Sequence, residues 1–363
     1  MTTKTEQTNF SHGNQKSNKS TVKIGVQLVE KGILPDFIVR FGIRQLIKQR
    51  LEEEYAHNPE KSSEQYHTFL KSLKQSSLAI DTDKANEQHY EVDAKFYDLA
   101  LGKRKKYSSC YYKSNESIDI AEENMLSLYT ERGQFTDGQD ILELGCGWGS
   151  LTLYLAEKYP NSNITGLSNS NSQRIYIMEQ AKLKGLTNIN IITCDINEFD
   201  IKQRFDRIIS IEMFEHVRNY QQLFNKISTW LDEDGLLFIH VFCHRYLMYP
   251  FLTEGDDNWM GKYFFSGGQM PAADTFLNFQ EKLNIQKRWM NNGQHYEKTS
   301  NHWLENMDKN KTEVLNIFKR VYGEDYKLWF QRWRIFFMSC AELFGYNKGN
   351  EWLVGHYLFS KKV

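Results

Sequence analysis

The chain has 363 residues, with 45 lysines and arginines against 46 aspartates and glutamates, and 14% of its residues are aromatic. This length suits one large core, or a main domain with an appendage. A net charge of −1 gives no global case for a nucleic-acid partner or an anionic membrane surface, and no apolar run in the sequence is long enough to span a bilayer.

The five cysteines are scattered singly along the chain, without a C-x-x-C pair. Such a pattern favours a reduced protein with neither a disulfide framework nor a structural zinc site. The N-terminal stretch MTTKTEQTNF lacks the apolar core of a signal peptide. We therefore expect a cytoplasmic protein without a bound metal.

The N-terminal part of the chain predicts a polar tail followed by helices. Residues 1–20 are mostly Thr, Ser, Asn, Gln and Lys with almost nothing to bury, which predicts disorder. In residues 21–85 apolar side chains recur at helical spacing, Pro35 and Asp36 suit a first turn, and a further helix is predicted over residues 64–74. We interpret this region as a small helical appendage.

Two polar features precede the first predicted strand. The basic cluster at residues 103–106 is typical of a solvated turn, with contact to anionic headgroups as the alternative. Asp119 and Glu122 have the spacing of a capping box for a helix that runs to Arg132 and ends at Gly133.

The stretch at residues 140–150, DILELGCGWGS, has the order of a buried parallel strand, a glycine-rich turn and the start of a helix. Glycines let the chain turn tightly and expose bare backbone to a ligand. The spacing is G-x-G-x-G behind Glu143, whereas a dinucleotide fingerprint requires G-x-G-x-x-G. The loop resembles the S-adenosylmethionine loop of class I methyltransferases. A dinucleotide site and a turn without a ligand are the alternatives.

A regular alternation of strands and helices follows, which predicts a parallel sheet with right-handed crossovers. The fold class is α/β, and the layout resembles a seven-stranded, Rossmann-like class I methyltransferase sheet with a helical N-terminal appendage and a late cap. We assign this domain to residues 86–363, with cap insertions at about 244–280 and 290–345. The strands are predicted at residues 140–144, 163–167, 189–194, 207–212, 235–242, 283–289 and 353–359.

Four motifs in fixed order carry a more specific resemblance. They are Y-S at 107–108, L-E-L-G-C-G-W-G at 142–149, G-L-S-x-x-x-x-Q at 166–173 and F-D-R-I-I-S-I-E-M-F-E-H at 205–216. Together they resemble the cyclopropane fatty acid synthase superfamily, and the chain is most similar to its coclaurine N-methyltransferase branch. The resemblance extends from about residue 86 to the C-terminus. It implies an S-adenosylmethionine-dependent methyltransferase.

The resemblance also implies where the cofactor is held. This chain lacks the acidic residue that most nucleotide folds place after the second strand, and the resemblance implies that Ser168 and Gln173 take the ribose hydroxyls instead. Asp195 would accept a hydrogen bond from the adenine amine, with a helix cap as the alternative. The full set of predicted cofactor-binding residues is Tyr107, Ser108, Gly145, Gly147, Ser168, Gln173, Asp195, Ile196 and Ile211.

The candidate catalytic residues are Glu212, Glu215 and His216, at the carboxyl end of the fourth predicted strand, where α/β folds place their sites. Such a group suits acid–base chemistry, the alternative being a solvated loop with salt bridges. An alkylamine with a pKa near 10 is only ~0.1% neutral at pH 7, a cost of about 4 kcal/mol. A protonated nitrogen cannot attack a methyl group, so these residues would attract the ammonium and relay its proton. The resemblance assigns this role to the same E-x-x-E-H set.

The same resemblance includes a lipid-modifying alternative. Cyclopropane synthases have glycine where this chain has Glu212, and they use a bicarbonate whose cage resembles Glu215, His240 and Tyr296. The cage is incomplete in this chain, because Ser109 stands where those enzymes have cysteine. This chain also has the extra carboxylate of Glu212. These differences favour nitrogen methylation.

We predict aromatic walls for the acceptor pocket, since aromatic faces attract a cationic amine. The helical spacing of Trp333 and Phe336 fits an ordinary core equally well. The predicted substrate-binding residues are Phe264, Phe265, Tyr296, Trp333, Phe336 and His240.

The sequence therefore predicts an enzyme that transfers a methyl group from S-adenosylmethionine to a small hydrophobic or aromatic amine. One alternative is methylene or methyl transfer to unsaturated acyl chains, as in a cyclopropane-fatty-acyl-phospholipid synthase. Another is a catalytically silent cofactor-binding protein. We expect a small-molecule amine as partner, no nucleic acid, and membrane contact only under the lipid alternative. Assembly as a homodimer is left open.

Overall fold

The computed structural model describes residues 19–80, 92–255 and 258–362. The predicted boundary at residues 85–86 lies outside the described residues, as does the predicted tail except for Lys19 and Ser20, which open the first helix. Asp36 lies in the first turn of the second helix, as predicted, whereas Pro35 is the N-cap residue just before it. The Asn58 side chain caps the third helix by accepting a backbone N–H. These helices are α1 (Lys19–Glu30), α2 (Asp36–Glu53) and α3 (Pro59–Gln75).

The helix Ile118–Arg132 does not begin with the predicted capping box, so that prediction is wrong. Ser117 is the N-cap, whereas the Asp119 and Glu122 carboxylates accept backbone N–H groups of the preceding loop, residues 102–106. Glu122 takes three of these N–H groups, so it fastens the incoming loop instead of the helix end. The remaining α-helices are α4 (Ala94–Ala100), α5 (Ile118–Arg132), α6 (Ser150–Lys158), α7 (Asn171–Leu183), α8 (Tyr220–Trp230), α9 (Trp259–Tyr263), α10 (Gln294–Lys309), α11 (Lys311–Tyr322) and α12 (Tyr326–Gly345).

The predicted strands form one seven-stranded sheet, in the order β3-β2-β1-β4-β5-β9-β8. The first five run parallel, and β9 is antiparallel to both of its neighbours. Each predicted strand overlaps an observed one, although β5 begins at Leu231 and not at Gly235. The strands are β1 (Asp140–Leu144), β2 (Asn163–Ser168), β3 (Ile189–Thr193), β4 (Phe205–Ile211), β5 (Leu231–His244), β8 (Leu283–Asn291) and β9 (Trp352–Lys361), while β6 (Tyr249–Pro250) and β7 (Gln269–Met270) pair separately.

The sheet changes its direction of growth between β1 and β4. From β1 the chain adds β2 and then β3 on one side, and afterwards returns to add β4 and β5 on the other. In an open parallel sheet this reversal leaves a crevice at the carboxyl ends of the strands. The glycine turn after β1 and the acidic segment after β4 therefore open into the same crevice.

Helices cover the sheet and hold these loops on a rigid base. Leu223, Phe224 and Ile227 of α8 are fully buried in one apolar cluster with strand residues, while Met125 and Tyr129 of α5 are fully buried in another. Burying a large apolar side chain contributes about 1.5–3 kcal/mol, so both layers are firmly attached to the sheet.

The cap predicted at 244–280 and 290–345 contains the β6–β7 ribbon, α9 and the helices α10 to α12. The N-terminal helices pack against this cap. Arg334 of α12 donates to both carboxylate oxygens of Asp36, at 2.7 and 3.1 Å, and Arg40 of α2 lies 2.9 Å from Glu342. None of the described helices is both long and apolar enough to cross a membrane.

Candidate active site

A cavity lies in the crevice at the carboxyl ends of β1, β2 and β4, with the cap above it. It is lined by every residue that the sequence assigned to the cofactor, from the Tyr107–Ser108 loop to Ile211. Of the predicted catalytic residues it is lined by Glu212 and His216, and of the predicted aromatic wall by Phe265, Tyr296 and Phe336. The fold thus collects residues that are far apart in the chain around one space.

The glycine turn presents bare backbone to this cavity. Gly145, Gly147 and Gly149 have φ angles of +79°, +51° and +79°, a region that other residues rarely adopt. A Cβ on Gly147 would meet no atom within 4 Å, so that position faces open space, whereas a Cβ on Gly149 would lie 2.6 Å from the side chain of Ile177. Gly147 therefore leaves room for a ligand, and Gly149 is required for helix packing.

Unpaired polar atoms line the part of the cavity beneath β2 and α7. Ser168 donates its hydroxyl to Oε1 of Gln173 at 2.7 Å. Among the described residues, Nε2 of Gln173 and Oγ of Ser150 are buried without a hydrogen-bond partner. A buried polar group without a partner costs about 1–3 kcal/mol, which favours a polar ligand at this place. Together with the open backbone of Gly147, these atoms fit the ribose and amino-acid ends of S-adenosylmethionine.

Asp195 lines the same cavity and also stabilises its own turn. Its Oδ1 accepts from the backbone N–H of Asn197 at 2.7 Å and from the amide of that residue at 2.8 Å. Oδ1 therefore stabilises a turn, much as the helix-cap alternative predicted, while Oδ2 of Asp195 remains available to accept from a ligand.

The basic cluster before the Tyr107–Ser108 loop is only partly solvated. Lys103 is exposed, but Lys105 and Lys106 are 5% and 2% exposed, so the predicted solvated turn is wrong for these two residues. Nζ of Lys106 donates to the hydroxyl of Ser108 and to the carbonyl of Ser109, at 2.7 Å for the latter, and burial lowers the pKa of this lysine. These bonds replace the lost hydration and hold the loop against the cavity.

Glu212 is the most constrained residue of the site. Its backbone has φ +48°, a left-handed conformation that costs a non-glycine residue about 1–2 kcal/mol. Its carboxylate accepts three hydrogen bonds: Oε1 from the backbone N–H of Ser109 at 2.9 Å and from Nε2 of His240 at 3.0 Å, and Oε2 from the hydroxyl of Tyr296 at 2.7 Å. Burial raises the pKa of Glu212, while Lys106 and the donors oppose that effect. Strain retained at a buried, fully bonded side chain indicates a functional position.

The other two predicted catalytic residues have different environments. Glu215 is fully buried and does not line the cavity; its Oε1 accepts from the backbone N–H of Phe242 at 2.7 Å. Burial, and next the charge of Glu212, raise the pKa of Glu215 well above its usual value. His216 lines the cavity and stacks on Phe265 at 5.0 Å between ring centres, and burial lowers the pKa of its imidazole to about 4. The segment therefore combines a carboxyl group whose pKa is raised with an imidazole that is neutral at neutral pH.

The aromatic wall is formed by part of the predicted set. Phe264 and Trp333 are fully buried behind it, where Phe264 stacks on Phe336 at 4.3 Å between ring centres. They support the wall and do not line the cavity, because both rings pack in one apolar cluster of the cap. His240 likewise lies behind Glu212 and not at the cavity surface.

Several residues of the site have no counterpart in the sequence motifs. Lys106 looked like part of a surface turn, Tyr129 and Trp303 lie on helices without a local signature, and the backbone N–H of Ser109 cannot be recognised in a sequence. Only the apolar face of α5 could have indicated Tyr129, and it would not have separated a core residue from a cavity residue.

Comparison with known proteins shows that this chain is similar to methyltransferases. The family model described as mycolic acid cyclopropane synthetase matches residues 79–351. The chain is 37% identical over 341 residues to (S)-coclaurine N-methyltransferase from Thalictrum flavum subsp. glaucum, which covers 92% of this chain and 94% of that protein. It is 28% identical over 280 residues to cyclopropane-fatty-acyl-phospholipid synthase from Escherichia coli (strain K12), covering 76% of this chain and 68% of that protein.

A solved structure matches over a similar length. The crystal structure of coclaurine N-methyltransferase bound to N-methylheliamine and SAH superposes with a TM-score of 0.91 at 35% identity, and the match covers 94% of this chain and all of that one. The seven-stranded sheet and the cap are therefore shared with an enzyme of known fold.

Proposed function

Since this chain belongs to the mycolic acid cyclopropane synthetase family, we propose that it is an S-adenosylmethionine-dependent N-methyltransferase within that family, acting on a small hydrophobic or aromatic amine. The N-methyltransferase relatives match nearly the whole chain at 34–37% identity, whereas the cyclopropane synthase relative matches a shorter part at 28%. An enzyme of this class is therefore supported over the lipid-modifying alternative.

The hydrogen bonds of Glu212 are the observation that carries the proposal. The resemblance assigns His240 and Tyr296 to the cage that holds bicarbonate in cyclopropane synthases. In this chain both side chains donate to the carboxylate of Glu212, as does the backbone N–H of Ser109. We infer that Glu212 supplies a built-in carboxylate where the lipid-modifying enzymes bind a free one.

The cofactor supplies an electrophilic methyl group, and the residues around it position that group. The open backbone at Gly145 and Gly147 and the partnerless atoms near Gln173 fit its binding, as argued above. Methyl transfer to nitrogen needs in-line placement of donor and acceptor, which is a positioning task for the protein. The rigid attachment of these loops to β1 and β2 suits that task.

Proton removal is the second task, and Glu212 is suited to it. An ammonium ion held near an ionised carboxylate is stabilised, and a carboxyl group whose pKa is raised by burial is a better match for accepting its proton. His216 lines the same cavity in its neutral form, and because its pKa is about 4 it can relay a proton but does not retain one. Glu215, whose pKa is raised by burial and by Glu212, accepts from the backbone N–H of Phe242 and lies outside the cavity, so it stabilises the segment without contacting the ammonium.

The aromatic wall restricts the acceptor to apolar amines. The cavity is lined by Phe265, Tyr296, Phe336 and Trp303, and Tyr296 stacks on Phe344. A cation over an aromatic face gains about 0.5–2 kcal/mol, so this wall favours a bulky amine carrying a positive charge.

One experiment separates the proposal from its rivals. The purified protein is incubated with methyl-labelled S-adenosylmethionine and, in parallel, with a panel of benzylic and heterocyclic amines or with vesicles of unsaturated phospholipid. We expect label in an amine and none in lipid, with turnover that does not depend on added bicarbonate. Label in acyl chains, or cofactor binding without transfer to any acceptor, would refute it.

The sequence-based predictions of a cytoplasmic location and of a division into residues 21–85 and 86–363 are retained as proposals, and assembly as a homodimer stays open. Their support is the scattered, unpaired pattern of the five cysteines and the composition of the two regions. Light scattering on the purified protein tests the oligomeric state.

A further inference from the structure

A line of buried side chains leads away from Glu212 on the side opposite the cavity. Nε2 of His240 lies 3.0 Å from the Glu212 carboxylate, and Nδ1 of His240 lies 2.9 Å from Nε2 of His356. Nδ1 of His356 in turn lies 2.7 Å from Nη1 of Arg132. The two histidines are fully buried and directly opposite each other on β5 and β9.

The order of atoms in this line determines which nitrogen of each ring carries a proton. A guanidinium has only donors, so Nδ1 of His356 must accept from Arg132. A neutral His356 then holds its proton on Nε2 and donates to Nδ1 of His240, whose own proton is left on Nε2 facing Glu212. Every hydrogen bond in the line points toward the carboxylate.

Other contacts agree with this direction. The hydroxyl of Tyr129 lies 2.9 Å from Nδ1 of His240 and keeps its proton because burial raises its pKa, so it can share with His356 the single lone pair of that nitrogen. Burial also lowers the pKa values of His240 and His356 well below their usual range, which keeps both rings neutral. Arg132 is held in place by Asn291 at 3.0 Å.

We propose that Arg132 is a positioning residue that acts through His356 to hold His240 as the Nε2–H tautomer, and so maintains Glu212 as an acceptor of hydrogen bonds. Arg132 and His356 do not line the cavity and touch neither proposed ligand. The line polarises the carboxylate but cannot carry a proton outward, because Arg132 has no lone pair to receive one. A proton taken from the acceptor must therefore leave by the cavity side, where His216 lies.

The direct test is the tautomer state of the two rings. Two-bond ¹H–¹⁵N correlation spectra of protein labelled at histidine distinguish protonated Nδ1 from protonated Nε2, and the loss of signals in His356→Gln assigns that ring. We expect both histidines as Nε2–H at neutral pH. The other ionisable groups that interact with Glu212 are Lys106, Cys110, Tyr129, His216, Glu215, Tyr296 and Cys340.

Substitution of Arg132 should release the tautomers. In Arg132→Leu we expect His356 to populate both forms and kcat to fall about tenfold, the size of one lost hydrogen bond to a charged network, with KM for the cofactor unchanged. Arg132→Lys restores a cationic donor and should recover most of kcat. Arg207→Leu is the matched control: this half-buried arginine donates to the carbonyls of Gly133 and Gln134 beside the end of α5 and contacts neither histidine, so both tautomers and kcat should be unchanged.

Two results would overturn the proposal. One is a proton on Nδ1 of either histidine in the unmodified protein; the other is Arg132→Leu with unchanged tautomers. If Arg132→Leu does not fold, His356→Gln, which can both accept and donate, must retain more activity than His356→Leu. The role of Glu212 rests on the proposed function, but the spectra report on the tautomers whether or not an amine is methylated.

Discussion

Replacing Glu212 with glycine tests the built-in carboxylate more sharply than any other change. The substitution removes a side chain with φ +48°, so it relieves about 1–2 kcal/mol of backbone strain, and it leaves three donors without their acceptor. General-base catalysis typically contributes 10²–10⁴-fold, equivalent to about 3–5 kcal/mol. We expect kcat at pH 7 to fall within that range. The affinity for SAH should change less than about threefold, because its thioether carries no charge to attract.

Two further consequences follow from the same geometry. At pH 10 about half of an alkylamine is already neutral, so the ratio of kcat between the unmodified protein and Glu212→Gly should decrease strongly from pH 7 to pH 10. Bicarbonate presents carboxylate-like oxygens to Ser109, His240 and Tyr296, so it should restore part of the activity and raise Tm by mass action. Glu212→Gln is the control, since its amide fills the space and should block rescue.

The assay is SAH release with a saturating amine, with sodium bicarbonate or sodium chloride at equal ionic strength, and thermal denaturation under the same conditions. Unchanged turnover of Glu212→Gly at pH 7 would refute the base role. Bicarbonate rescue of Glu212→Gln equal to that of Glu212→Gly would refute the idea that a free anion fills the vacated space.

Three other changes test separate parts of the site. Gly147→Ala and Gly185→Ala each add a Cβ that meets no atom within 4 Å, at φ +51° and +68°. Each variant should lose about 1–2 kcal/mol of unfolding free energy in urea denaturation. Only Gly147→Ala should weaken cofactor binding, as measured by calorimetry. Tyr296→Phe removes the 2.7 Å bond to the Glu212 carboxylate, so the acidic limb of kcat/KM should move to higher pH by about one unit; an unmoved limb contradicts this. His216 has a folded pKa of about 4, below that of the unfolded chain, so its contribution to stability is present above pH 6.5 and is lost as pH falls toward 4. Between pH 7 and pH 5 the unfolding free energy of the unmodified protein should fall by up to about 2 kcal/mol more than that of the His216→Gln variant. This value is an upper bound, because the ring is partly exposed to solvent.

Most of the fold and much of the site were accessible from the sequence. The strand–glycine–helix order at residues 140–150 and the alternation that follows are local patterns, and the structure has a strand wherever they predict one. The members of the predicted cofactor set that stand at the ends of β1 to β4 could be grouped from the sequence, because parallel strands bring their carboxyl ends together. Tyr107 and Ser108 precede β1, so only the family resemblance pointed to them. All members of the set line one cavity.

Errors arose where burial depends on distant parts of the chain. Lys106 was predicted to be solvated because a run of charges resembles a turn, but Ser108 and Ser109 supply its hydrogen bonds in the buried site. The apolar pattern of α12 could not separate Trp333, which is core, from Phe336, which lines the cavity, because both lie on the inner face of one helix.

The amino-acid sequence by itself determined the order of the elements, the glycine turn and the chemical types gathered after β4, because each of these is written in neighbouring residues. Only the tertiary structure decided that Glu212 faces Ser109, His240 and Tyr296 while Glu215 turns away from the cavity. The physical reason is that hydrogen bonding and desolvation depend on which groups come into contact across the sheet and the cap. These contacts join residues that are from about 30 to more than 100 positions apart in the chain.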